Sequence, residues 1–71
     1  MKIKRLINMA NDISNFFDSE VDKELAAQGM KNHILRSWDP RMRSEIAEYL
    51  TQDGTELTEL SKKAILQLDS K

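Results

Sequence analysis

Residues 37–46 read SWDPRMRSEI, and within them Trp38-Asp39-Pro40 decides how the chain is divided. Asp39 is a helix N-cap and Pro40 stands at N1, where a missing N–H costs nothing and the fixed φ already suits the helix. The residue before a proline avoids the α region, so any helix arriving from the N-terminal side ends by Trp38 or Asp39. One long amphipathic segment is thereby excluded, and two helices meet at a tight turn. Trp38 has two roles open to it, a plug in the core where these helices meet or an amphipathic interface anchor, and a chain this short favours the core. Arg41 and Arg43 are harder to place. Cations in a first turn oppose the partial positive charge of the free N–H groups, at about 0.3–1 kcal/mol each when exposed.

Outward from this turn the apolar spacing is helical throughout. Ile3, Leu6, Ile7, Ala10, Ile13 and Phe17 follow the i, i+3, i+4, i+7 rule and predict a helix over 3–17, with Met9 and Phe16 widening its stripe. The run DSEVD breaks it, with Ser19 or Asp22 as the cap of a second helix over 20–37. The stripe of that helix is Val21, Leu25, Ala27, Met30, Ile34, Leu35 and Trp38. A third helix over 40–51 carries Met42, Ile46, Tyr49 and Leu50 inward and stops at Gln52-Asp53-Gly54. Thr58 caps a fourth over 58–69, whose stripe is Leu60, Ala64, Ile65 and Leu68 with Leu57 just before it. No strand-period segment, internal repeat or low-complexity linker interrupts the pattern. The expected fold class is all-α, a compact four-helix domain with short connections spanning 1–71.

At 71 residues the chain is near the lower limit for independent folding. Burial of its apolar side chains and the entropy of ordering its backbone nearly cancel, so a partner surface would help it. With no cysteine, disulfides, thiolate metal sites, iron–sulfur ligation and a cysteine nucleophile are excluded in this chain. MKIKRL faintly resembles a signal-peptide start, but Asn8, Asn11 and Asp12 interrupt the apolar run that would have to follow. The expectation is a cytoplasmic protein, and no segment approaches the roughly 20 apolar residues a membrane span needs. Net charge is −1, which argues against bulk affinity for nucleic acid or anionic membrane. Its distribution alternates: residues 1–5 carry +3, 12–24 carry −4, 31–43 carry +3, 45–59 carry −5 and 62–71 carry +2. Alternation by helix suggests that the blocks complement one another within the fold.

The catalytic inventory is thin. His33 is the only histidine, with no carboxylate three or four residues away on its helix face to orient its ring. Gly29 and Gly54 are wrongly placed for a phosphate-cradling loop, no metalloprotease, nucleophile-elbow or EF-hand pattern occurs, and the acidic run DSEVDKE reads as a solvated helix start. No catalytic, cofactor-binding or metal-ligating residue is expected, and no activity from this chain alone. Gly29 in mid-helix costs about 0.5–1 kcal/mol relative to alanine, tolerated where another backbone comes close or else a weak spot on a solvated face. Gly29, His33 and Arg36 project from one side of the second helix, towards the arginine-rich turn. Arg41 and Arg43, two apart at about 100° per residue, point to opposite flanks of Met42 and so do not clamp one anion together. Arg41 reaches Glu45 at i+4, whereas Ala47 stands at that position from Arg43.

Three stretches now carry a resemblance. MANDISNFF at 9–17, GMKNHILRSWDPRMR at 29–43 and the L-T-E-L entry to the fourth helix are similar to the small delta subunit of NAD-linked, molybdenum-containing formate dehydrogenases. The shared positions include Met9, Ala10, Phe16, Phe17, Gly29 and His33, and WDPRMR is the most specific part. The chain departs from the family at Ser37, where an aromatic is usual, and at Glu59, where proline often opens the fourth helix. The resemblance implies an accessory subunit of a cytoplasmic complex that oxidises formate to carbon dioxide. Molybdopterin, iron–sulfur clusters, FMN and NAD would all lie on the larger subunits and none in this chain. The expected contact residues are Gly29, His33, Arg36, Trp38, Asp39, Pro40, Arg41, Met42 and Arg43. A transient assembly factor and a stoichiometric subunit both fit. Two other classes stand beside it: a helix-turn-helix nucleic-acid module with Arg41 and Arg43 opening its recognition helix, opposed by Glu45 and Glu48, and a homodimer through exposed Met9 or Phe16.

Overall fold

The computed structural model describes residues 2–68 and consists of four helices, α1 Ile3–Phe17, α2 Lys23–Ser37, α3 Pro40–Gln52 and α4 Glu59–Leu68, with no strand among the described residues. The molecule measures 31 × 24 × 19 Å. Three of the helices begin where their caps place them. Asp39 is extended and its Oδ1 accepts from the Met42 amide at 2.9 Å, with Pro40 at the first helical position. Thr58 Oγ1 accepts from the Ser61 amide at 3.1 Å and starts α4. Asp69, included in the expected fourth helix, lies outside the described residues.

The start of α2 corrects the expectation of residue 20. Of the two candidate caps Asp22 is the one used, its Oδ1 accepting from Glu24 and Leu25 amides at 2.9 and 3.4 Å. Residues 18–22 are a turn tied back to α1: the Glu20 amide donates to the Phe17 carbonyl at 3.1 Å and Lys23 Nζ to the Asp18 carbonyl at 2.9 Å. Val21 is therefore not on the buried stripe; it is 93% exposed in this turn. Leu25 and Leu35 also face out, and the buried side of α2 is Ala26, Ala27, Met30 and Ile34. Small residues there let α4 come close with Leu60, Ser61, Ala64 and Ile65, and the α2–α4 seam is the most extensive helix pairing.

The other helices place their stripes largely as expected. Leu6, Ile7 and Ala10 of α1, Ile46 of α3 and Leu57 join the same core, while Met9, Ile13, Phe17, Met42, Tyr49, Leu50 and Leu68 are half-buried against it. Phe16 does not widen the α1 stripe but stands in solvent, and Ile3 is also exposed. Gly54 ends α3 at φ +71°, a left-handed position that favours glycine, and a Cβ there would come within 2.9 Å of Leu50 Cδ1.

Two buried serines were not foreseen. The Ser14 and Thr58 hydroxyls are 2.7 Å apart, and Thr58 gives its own hydrogen to Ser61 Oγ at 2.8 Å, so Ser14 is the donor to Thr58. Ser61 in turn lies within reach of Asn11 Oδ1 at 3.2 Å and the Ala10 carbonyl at 3.4 Å. Asn11 completes the link by accepting from the Thr58 amide at 3.1 Å and donating to the Glu56 carbonyl at 2.8 Å. A polar seam thus fixes α1 against the entry to α4.

The charge blocks complement one another only in part. Lys4 pairs with Glu56 at 2.7 Å and Lys63 with Glu24 at 2.6 Å, each joining blocks of opposite sign. The hydrogen bond and charge of Glu56 raise the Lys4 pKa above its ordinary 10.5, so that gain holds at neutral pH and is lost as pH climbs through the Lys4 value. In the central block only Arg41 is paired among the described residues, with Glu45 at 3.8 Å; Lys31, Arg36 and Arg43 make no ion pair.

Candidate partner-binding surface

Gly29 sits half-buried in mid-α2, with its missing Cβ facing the last residue of α1. A Cβ at this position would meet Phe17 Cε1 at 2.7 Å and Cδ1 at 3.1 Å. The close neighbour is a ring rather than the backbone expected, and the glycine is the notch in which that ring rests. Phe16, next in the chain and 77% exposed, holds Phe17 edge-to-face with ring centroids 5.1 Å apart at 89°.

Two hollows share Phe17 in their lining. One is lined by Phe17, Gly29, Asn32, Leu35 and Arg36. The other is lined by Asp12, Ile13, Phe16, Phe17 and His33. The structure thus brings Gly29 and Arg36 together in one hollow and places His33 in the other. Asp12 of α1 lines the same hollow as His33, which inspection of the His33 helix alone does not reveal. Phe16, Phe17, Leu35 and Asn32 are additions to the expected set; the one signal was for Phe16, which the homodimer alternative took as exposed.

The turn residues divide differently. Trp38 is 4% exposed and packs in the core, its amide donating to the Ile34 carbonyl at 2.8 Å. Asp39 and Pro40 are exposed and occupied with starting α3, and Met42 is half-buried against the core. Arg41 is in solvent beside Glu45. Arg43 turns the other way, into a hollow with Pro40, Ser44, Ala47, Glu48, Thr51 and Leu68 that shares no lining residue with the two around Phe17. Its Nε is buried and has no acceptor among the described residues.

No group of three or more His, Cys, Asp or Glu among the described residues is placed to hold a metal, and none of their helices is long and apolar enough to cross a membrane. Fold and surface together define a small all-helical protein whose distinctive features are inter-helix hollows. The family model of the NADH-dependent formate dehydrogenase delta subunit FdsD matches residues 5–65, most of the chain, and the protein belongs to that family. No curated protein and no solved structure matches it.

Proposed function

We propose that this chain is a non-catalytic accessory subunit that binds the larger, cofactor-bearing subunits of a cytoplasmic NAD-linked formate dehydrogenase and supports their assembly or stability. The family match over residues 5–65 carries this reading. Contact is made through the α2 side bearing Gly29, His33 and Arg36 and through the turn from Trp38 to Arg43. Lys31, Arg36 and Arg43 of the central block make no ion pair among the described residues, which supports an acidic partner surface there. Arg41 stands 3.8 Å from Glu45 and Glu48 shares the Arg43 hollow, so acids accompany both arginines and oppose the nucleic-acid reading. Co-expression with the larger subunits, with and without this chain, tests the proposal. A tagged copy co-purifies, and its omission lowers molybdenum content and formate oxidation; failure of both overturns it.

A further inference from the structure

We draw no further inference here: the strongest candidate, the exposed surface patch of Phe16 and Leu35 beside the two hollows that share Phe17, carries nothing because nothing in the structure shows what covers it.

Discussion

The Phe17 ring and the Gly29 notch oppose each other in energy as well as in space. Alanine at 29 would gain about 0.5–1 kcal/mol in helix propensity. Its Cβ, however, would stand 2.7 Å from the ring, and overpacking of that kind costs about 1–3 kcal/mol. Gly29→Ala is therefore expected to lower stability by about 1 kcal/mol in urea unfolding. Adding Phe17→Leu to it should cost less than Phe17→Leu costs in the parent, because the clash is gone. A stabilised Gly29→Ala would show that the ring moves freely and that the notch is incidental. Arg43 invites the opposite experiment. Removing a buried donor that lacks an acceptor releases desolvation cost while losing stem packing, so Arg43→Ala should stay within about 1 kcal/mol of the parent. On the proposed function the same variant binds the larger subunits less well, and unchanged binding would take Arg43 out of the contact surface.

Among the helices, α4 depends most on a partner element. Its cap, Thr58, also receives the Ser14 hydroxyl and donates to Ser61, so one side chain serves both the helix start and the α1–α4 seam. Thr58→Ala loses a cap worth about 0.5–2 kcal/mol and leaves Ser14 and Ser61 short of partners, for a total of about 2–3 kcal/mol in denaturant unfolding. Thr58→Ser, which keeps the hydroxyl, should recover most of it; equal loss in the two would show that the methyl group rather than the network matters. These elements also show what could be read beforehand. The breaks at Asp39-Pro40 and Gly54 and the Thr58 cap were legible because each rests on local backbone chemistry. The start of α2 was not, since Ser19 and Asp22 are both competent caps and the choice depends on the turn tied to Phe17 and Asp18. Large apolar residues misled on the buried face of α2: Leu25 and Leu35 are exposed, while Ala26 and Ala27 are buried because α4 needs the room. Ser14 and Ser61 were hidden for a related reason, as a hydroxyl is buried only where tertiary partners satisfy it. The notch at Gly29 could be suspected, but not that a ring from another helix fills it.

Taken as a whole, the molecule ties its charge blocks together at Lys4–Glu56 and Lys63–Glu24 and leaves Lys31, Arg36 and Arg43 of the central block without an ion pair among the described residues. A surface of that kind favours partner binding whose rate falls with salt, by screening over a Debye length of about 8 Å at physiological ionic strength. Binding also stabilises: with partner at a hundredfold excess over Kd the gain is about 2.7 kcal/mol, large for so small a core. The melting temperature of this chain should therefore rise when the larger subunits are added, and a transition unmoved at saturating partner would contradict the proposed function. The seating of Phe17 on Gly29 has a spectroscopic consequence. Circulating π electrons so close to the glycine displace the resonances of its α-protons from their ordinary position. Those two protons are thus a native reporter beneath the surface: anything that tilts the ring registers there, without a label attached to the face it is meant to watch.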